Sequence, residues 1–373
     1  MNFGFRWRGF FGDRTDCGEE ARHFVLAIAR GHMPVEAVTT KIKIQEINLL
    51  EQFEQTLTNL DGQPSSDLFV SVWDCVPPLF PGTQEPGAFF TVGRGMFETD
   101  RIPDSWIPKC FQMDEIWVPN EFNWHSFRNS GIPEGKLFKL PPTTDLDLYT
   151  PMGPKAELPG GTKFKFLASS EWLIRKGWDL LLEAYWEEFS SEEPVVLLIK
   201  TWSRSEKNYK QQIEEKARTL GADKRAQVIL LDSSFPFEEM PMIYRGADCF
   251  VLPSHGEATG LSYMQAMGCG LPAIGTGWGG NLEFMNKENS YLLNHELVSV
   301  PEGAYEDDPL LTSGHRWANP DKDHLKATMR RVFKNQAEAQ SVGQRGRAYL
   351  EAHCSYDKIA DILKAKLTSL LEY

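Results

Sequence analysis

The sequence has no closely spaced cysteines. Its six cysteines are scattered over the chain, at positions 17, 75, 110, 249, 269 and 354. No C-x-x-C spacing occurs among them, so the common zinc motifs are excluded and no disulfide framework is indicated. This usage is typical of a protein in a reducing compartment.

Long apolar runs are also missing. The first residues, MNFGFRWRGFFGDRTD, contain no apolar stretch long enough for a signal peptide, and no run reaches the length of a membrane span. We therefore expect a cytoplasmic, soluble protein with no transmembrane segment. Peripheral contact with a membrane stays open.

Positive charge is in deficit. The chain has 39 Lys and Arg against 52 Asp and Glu, a formal net charge of −13. A nucleic-acid-binding protein usually carries a basic stripe, and attachment to anionic lipid needs clustered cations. The composition therefore argues against nucleic acid as a partner.

The 373 residues alternate between strand-like and helix-like segments and suffice for two domains. Alternation of this kind predicts an α/β protein with parallel sheets. Residues 140–161 hold five prolines and three glycines, which is typical of a linker. We predict a Rossmann-like domain over 1–150, completed by a C-terminal helix over 355–373. A second Rossmann-like domain is predicted over 151–354, with a ligand-binding cleft between the two.

The strongest site signal is PSHGEATGLSYMQAMGCGLPAIG, residues 253–275. A strand-like run ends near Pro253, a polar loop follows, and LSYMQAMG predicts a helix. Because a helix start leaves N–H groups unpaired, those of Thr259, Gly260 and Leu261 suit an anion such as phosphate. Glu257 would lie nearby. Taken alone, the stretch fits an ordinary loop with a solvated glutamate about as well as it fits an anion-binding site.

Two adjacent cations, Arg175 and Lys176, follow the first strand of the second domain and precede a helix. Positive charge at a helix start opposes the helix dipole, so another purpose is indicated. Neutralising a diphosphate is one, and a solvated pair is the simpler interpretation. Lys200, at the end of VVLLIKT, is a weaker candidate.

Residues 253–272 resemble the signature of the retaining GT-B glycosyltransferases of family 4 (glycosyl transferases group 1), usually P-S-x-x-E-G-F-G-L-x-x-x-E-A-M-A-x-G-x-P. The match covers Pro253, Ser254, Glu257, Gly260, Leu261, Ala266, Met267, Gly270 and Pro272. RKGWDLLLEAY resembles the family's K-G-x-x-x-L-I-x-A element, and GWGGNLEF its G-G-x-x-E turn, with Glu283. PPTTDLDLYTP resembles the family's linker, and CSYDKIADIL its last helix.

The resemblance implies a GT-B fold and a hexosyltransferase of EC 2.4 type, which moves a sugar from a UDP- or GDP-sugar to a glycan or other hydroxyl acceptor. The cations Arg175 and Lys176 and the N–H groups of residues 259–261 would stabilise the departing diphosphate. Glu257 would hold the sugar hydroxyls. Further donor contacts would come from Lys200 and from the loop with Gly9, Gly12 and Gly18, and Glu98 would face the acceptor.

No metal or other cofactor is expected. The D-x-D-like matches TDLD and EDDP fall in the linker and in a late loop, outside the predicted site elements. Metal independence is therefore an expectation of the sequence.

Two positions depart from the family pattern. Gln265 replaces the second glutamate, which in the family holds the ribose hydroxyls, and an amide keeps one acceptor and adds donors. Glu171 replaces the usual arginine, a role that we assign to Arg175.

Three alternatives stand beside the transferase. GTGWGG, residues 275–280, matches the dinucleotide-binding pattern G-x-G-x-x-G and would suggest an NAD-dependent oxidoreductase. Only about ten residues separate it from the next apolar run, however, which are too few for a crossover helix. Gln265 and Glu171 would suit a non-catalytic GT-B binding or scaffold subunit. A nucleotide-sugar epimerase would use the same fold without an acceptor.

Overall fold

The structure, a computed structural model, describes residues 3–13, 15–40, 47–59, 68–203, 208–221, 225–231, 239–305 and 311–372. The EDDP stretch lies outside these ranges. The chain divides into two compact units, residues 1–145 with 352–373, and residues 146–351.

Strands and helices alternate along both units. The strands are β1 (Phe3–Gly9), β2 (Val35–Thr39), β3 (Leu68–Asp74), β4 (Ala88–Arg94), β5 (Glu115–Val118), β6 (Leu137–Lys139), β7 (Phe164–Glu171), β8 (Val195–Trp202), β9 (Gln227–Leu231), β10 (Cys249–Leu252), β11 (Ala273–Thr276), β12 (Tyr291–Leu293), β13 (His295–Ser299) and β14 (Arg316–Pro320). The α-helices are α1 (Asp16–Arg30), α2 (Ile47–Asn59), α3 (Ile107–Phe111), α4 (Glu121–Asn129), α5 (Trp178–Glu188), α6 (Tyr209–Thr219), α7 (Met240–Gly246), α8 (Leu261–Gly268), α9 (Lys322–Lys334), α10 (Gln336–His353) and α11 (Tyr356–Leu371).

The first unit is a parallel sheet of order β2-β1-β3-β4-β5-β6. Its core includes Trp7, Phe24 and Trp117, each fully buried. The last helix, α11, packs on α1 in this unit, where a Cβ at Gly31 would lie only 2.6 Å from Ala360 Cβ. Close packing against α11 therefore requires glycine at position 31.

A buried charged cluster lies where β3 and β4 end. Arg94 Nη1 donates to Asp74 Oδ1 at 2.9 Å, and Trp7 Nε1 donates to Asp74 Oδ2 at 3.0 Å. Arg94 Nη1 also donates to Glu20 Oε2 at 3.3 Å, and Arg94 Nη2 lies 3.1 Å from Glu20 Oε1. Burial raises the pKa of Glu20 to about 7 against the attraction of Arg94. The cluster thus holds two carboxyl groups against one guanidinium.

Glu20→Gln is expected to remove a pH dependence of stability. The carboxyl has an ordinary pKa of 4.5 and a folded pKa of about 7, so the folded state binds the extra proton between these values. The free energy of unfolding of the parent should therefore fall as pH rises from about 4.5 to about 7. Above pH 7 the variant should be more stable by up to about 3 kcal/mol. Urea denaturation at pH 5, 6, 7 and 8 measures this, with exposed Glu121→Gln as control, and parallel curves for parent and Glu20→Gln would contradict it.

The second unit is a parallel sheet of order β12-β11-β10-β7-β8-β9, with a separate antiparallel ribbon of β13 and β14. Residues 166–168 of β7, residues 195–199 of β8 and all of β10 are apolar and buried, as helices on both faces of a parallel sheet require. Between β11 and β12 the chain forms a 3-10 turn, Gly280–Glu283, and no α-helix. GTGWGG therefore does not open the helix of a dinucleotide-binding unit.

The boundaries between the units lie a few residues before the sequence-based ones, at 145/146 and 351/352. Arg347 of α10 gives the reason, because its Nη2 donates to Leu146 O at 2.9 Å and its Nη1 donates to Tyr149 O and Gly268 O. These bonds join the end of the predicted first domain to the second unit. Among the described residues, no helix is both long and apolar enough to cross a membrane.

Candidate functional site

The order of the second sheet reverses between β7 and β10. From β7 the chain builds β8 and β9 to one side and then β10, β11 and β12 to the other. Ligands of open parallel sheets bind beyond the carboxyl ends of the strands at such a reversal. Here β7 leads to a 3-10 turn, Ile174–Lys176, and β10 leads to the loop 253–260. Both predicted cations and Glu257 lie in these two segments.

Lys176 and Glu257 form a buried ion pair. The Lys176 Nζ lies 2.9 Å from both Glu257 Oε1 and Glu257 Oε2. The residues are 5% and 3% exposed. An ion pair removed from water is stable only when both members are well placed, so each residue fixes the orientation of the other.

Arg175 is the third charged group of this cluster. Its Nη1 donates to Gly256 O at 2.6 Å and lies 3.9 Å from Glu257 Oε2. Its side chain is 10% exposed. Glu171, at the position of the family's usual arginine, ends β7. The structure thus brings Arg175, Lys176 and Glu257 together as the sequence predicted, while their roles stay predictions.

Two glycines permit this arrangement. Gly177 has a φ of 67°, and a Cβ there would lie 2.1 Å from Pro253 O. Only glycine lets the turn after β7 approach the loop after β10 so closely. Gly260 has a φ of 84° and precedes α8. Because the N-cap residue is glycine, it supplies no side-chain acceptor to the first N–H groups of α8.

The predicted donor-binding residues surround that helix start. Thr259, Leu261 and Gln265 are 4%, 2% and 6% exposed. Gln265 Oε1 accepts a hydrogen bond of 3.1 Å from the Tyr244 hydroxyl on α7. The amide oxygen that the sequence assigned to a ribose hydroxyl therefore already has one donor.

The other predicted residues lie farther along the chain or in the first unit. Lys200 lies in β8 and pairs in register with Ser169 of β7. Glu283 lies in the 3-10 turn after β11, and its carbonyl accepts from the Tyr349 hydroxyl at 3.2 Å. Glu98, half-buried after β4, and Gly18 belong to the first unit.

The glycines near the start of the chain have packing roles. A Cβ at Gly18 would lie 2.4 Å from Asp13 O and 2.6 Å from Phe10 O, and one at Gly9 would lie 2.8 Å from Ala21 Cβ. Both positions therefore need glycine for the folding of this loop over α1. Their predicted approach to a donor stays a prediction.

Sequence reasoning missed three residues of the site region. Tyr244 carries no local signal, and Trp317 lies far along the chain. His255 falls on a variable position of the motif, yet its ring is stacked on Trp317 with centroids 4.8 Å apart. Burial lowers the pKa of His255, which favours the neutral imidazole.

Comparison with known proteins finds glycosyltransferases similar to the second half of the chain. Residues 163–301 match the family model described as glycosyl transferases group 1. Mannosylfructose-phosphate synthase from Agrobacterium fabrum is 26% identical over 160 residues, which are 40% of this chain and 34% of that protein. The chain thus spans about a third of the length of this curated relative.

Solved structures match over nearly the whole chain. HepE from Anabaena, in complex with UDP and glucose, has a TM-score of 0.65 at 13% identity and covers 99% of this chain and 100% of its own. Sucrose-phosphate synthase from Thermosynechococcus elongatus has a TM-score of 0.67 at 17% identity and covers 99% of each chain. The predicted GT-B fold is therefore confirmed, as is the likeness to group 1 glycosyltransferases, whereas family 4 and the retaining mechanism stay predictions.

Proposed function

We propose that this chain, which has the GT-B fold and matches the group 1 glycosyltransferase model over residues 163–301, transfers a sugar from a nucleotide-diphosphate sugar to a hydroxyl acceptor. The observation that carries the proposal is the buried Lys176–Glu257 pair beside the uncapped start of α8. A cation, a carboxylate and the N–H groups of a helix start thus lie at the edge where such sheets bind ligands. HepE, solved with UDP-glucose, has the same fold and supports a UDP-sugar as donor.

The arrangement suits departure of a diphosphate. An ammonium group has three protons, and the Nζ of Lys176 contacts two oxygens of one carboxylate, so a third proton is available to a phosphate oxygen. Arg175 and the N–H groups at the start of α8 add positive potential where negative charge develops. Preorganised donors of this kind are usually the largest catalytic contribution.

Glu257 suits the sugar rather than the phosphate. Its carboxylate would accept hydrogen bonds from sugar hydroxyls and stabilise positive charge at the anomeric carbon as the glycosidic bond breaks. We infer reaction on one face of the sugar, with the donor phosphate taking the acceptor proton and the configuration retained. A glycan or another hydroxyl compound would be the acceptor. Metal independence is part of this proposal, because side chains and helix N–H groups supply the charge.

A donor panel tests the proposal. Thermal shift with UDP-, GDP- and ADP-sugars identifies the donor, and release of the nucleotide diphosphate measures turnover with and without added sugars as acceptors. Turnover should persist in EDTA, and the product should keep the donor's anomeric configuration by NMR. Absence of any shift and any turnover would support a non-catalytic subunit, and isomerised donor without transfer would identify an epimerase. Activity lost in EDTA and restored by Mg²⁺ or Mn²⁺ would contradict metal independence.

Gln265→Leu is expected to weaken binding of the nucleotide diphosphate about 5- to 150-fold, because buried hydroxyls would lose a partner worth about 1–3 kcal/mol. Gln265→Glu should bind as well as the parent or better, since one carboxylate oxygen can accept from Tyr244 and the other from the ribose. Isothermal titration measures both. Tyr244→Phe is the matched control, which keeps Gln265 and removes only its tyrosine partner. Equal affinity of Gln265→Leu and the parent would show that residue 265 does not contact the ribose.

A further inference from the structure

The ribbon of β13 and β14 is anchored on the loop that carries Glu257. Trp317 and Ala318 of β14 are 2% and 0% exposed, while Arg316 and Ser299 at the same end of the ribbon are exposed. A two-stranded ribbon is marginally stable alone, so its buried residues need a surface to pack on. His255, two residues before Glu257, is part of that surface.

His255 contacts the ribbon through its backbone and its ring. Its carbonyl accepts from Ala318 N at 2.9 Å, and its Nδ1 lies 2.7 Å from Ala318 O. A carbonyl oxygen only accepts, so Nδ1 carries a proton and donates. The ring is stacked on Trp317 with an interplanar angle of 21°. Three contacts to two adjacent residues fix both the position and the rotation of the imidazole.

The same residue is joined to the turn that carries the cations. His255 N donates to Arg175 O at 2.7 Å, and Arg175 Nη1 donates to Gly256 O at 2.6 Å. The next carbonyl, that of Glu257, accepts from Gly280 N at 2.7 Å. The backbone is therefore hydrogen-bonded at three successive residues, 255, 256 and 257. At the first of these, His255, the ribbon supplies further contacts.

We propose that His255 is a positioning residue for the proposed transfer, which fixes the Glu257 carboxylate and the Arg175 guanidinium because the ribbon clamps it through Trp317 and Ala318. The inference rests on the proposed function. Catalytic groups must be held within about 0.5 Å of their productive places, and a displacement of about 1 Å can lower a rate about 10²-fold. If the contacts of residue 255 with the ribbon were lost, the loop would still contain Glu257 and the other residues of the motif. Their positions would then be less well defined.

A purely structural role for His255 makes a different prediction. Loss of packing would lower the folded fraction and affect kcat and nucleotide binding in proportion. A positioning role lowers kcat while the folded protein still binds the nucleotide diphosphate through α8 and Lys176. The conservative variant His255→Asn separates these further, because its side-chain amide can replace the Nδ1–H donor to Ala318 O but cannot replace the stacked ring.

The test compares His255→Ala, His255→Asn, Trp317→Leu and the double variant His255→Ala/Trp317→Leu, with exposed Arg316→Ala as the control from the same strand. We expect His255→Ala to lower kcat about 10- to 100-fold and to leave the Kd for UDP or GDP within about 3-fold. His255→Asn should recover at least half of this loss on a logarithmic scale. The double variant should lose no more than the worse single variant, because both act through one contact. Arg316→Ala should match the parent.

Hydrogen exchange of the peptide over residues 254–261 gives a second readout that needs no turnover. It should be faster in His255→Ala and Trp317→Leu than in the parent and in Arg316→Ala. Unchanged exchange overturns the proposal, as does unchanged kcat, a kcat loss that only follows the folded fraction, or no recovery in His255→Asn. If the parent turns over no donor, the proposed function fails. Faster exchange in both variants would still show that the contact of His255 with the ribbon fixes the loop.

Discussion

Lys176→Ala is expected to lower kcat at least about 10²-fold in protein that remains folded. The amine is the one buried ammonium group of the cluster around Glu257 within the described residues, and these residues offer its third proton no further acceptor. Its charge would act mainly as the diphosphate departs, so the loss should appear in kcat more than in nucleotide affinity. Release of nucleotide diphosphate under saturating donor measures it.

The same substitution should also lower stability. Both oxygens of the Glu257 carboxylate lose their nearest cation, and breaking a buried pair from one side costs about 3–5 kcal/mol. Arg175 stays 3.9 Å from Glu257 Oε2, so we expect the lower end of this range. The double variant Lys176→Ala/Glu257→Gln should recover stability and not turnover. Normal turnover of Lys176→Ala would remove this residue from the site.

The fold was largely predictable because its central strands are apolar runs bounded by loops. FKFLASSE and VVLLIKTW lie side by side in the second sheet, and the pattern had marked both. β2 and β6 are too short and too mixed for periodicity to identify them. Helix α9 does carry a local signal, since Asp321 caps it by accepting from His324 N, and aspartate is a preferred residue at a helix N-cap.

The site was predictable as a set of residues and not as a set of contacts. The motif resemblance named Lys176 and Glu257 separately, 81 residues apart, and gave no sign that each is the other's partner. The Tyr244–Gln265 bond joins two helices, and the His255–Trp317 stack joins a loop to a ribbon. Such pairings depend on tertiary packing, which local patterns do not encode.

Each unit places a buried charged cluster at the carboxyl end of its sheet, and the two clusters differ in balance. In the second unit two cations flank one carboxylate, Glu257. In the first unit one cation, Arg94, faces two carboxyl groups, Asp74 and Glu20. The two cations around Glu257 in the second unit suit a bound anion. The excess of carboxyl groups around Arg94 in the first unit favours uptake of a proton, in line with the pKa of Glu20 near 7.

Arg94→Met is therefore expected to destabilise the protein by about 3–5 kcal/mol at pH 8, because two buried carboxylates would be left without their cation. Methionine keeps much of the apolar stem that packs with Phe24, whose ring centroid lies 4.3 Å from the guanidinium carbon. The penalty should shrink as pH falls towards 5, since the Glu20 carboxyl, whose pKa burial raises to about 7, is then protonated and one buried charge is removed. Urea denaturation at pH 5 and pH 8 measures the difference.

Two further variants show how the charge of Arg94 contributes to stability. Arg101→Met, at an exposed arginine, should change stability by no more than about 0.5 kcal/mol at either pH. Arg94→Met/Glu20→Gln should be more stable than Arg94→Met at pH 8 and similar to it at pH 5, because the second substitution removes one of the stranded charges. An equal loss for Arg94→Met at both pH values would mean that the guanidinium acts through packing alone. In that case the raised pKa of Glu20 would reflect burial without any coupling of consequence to Arg94.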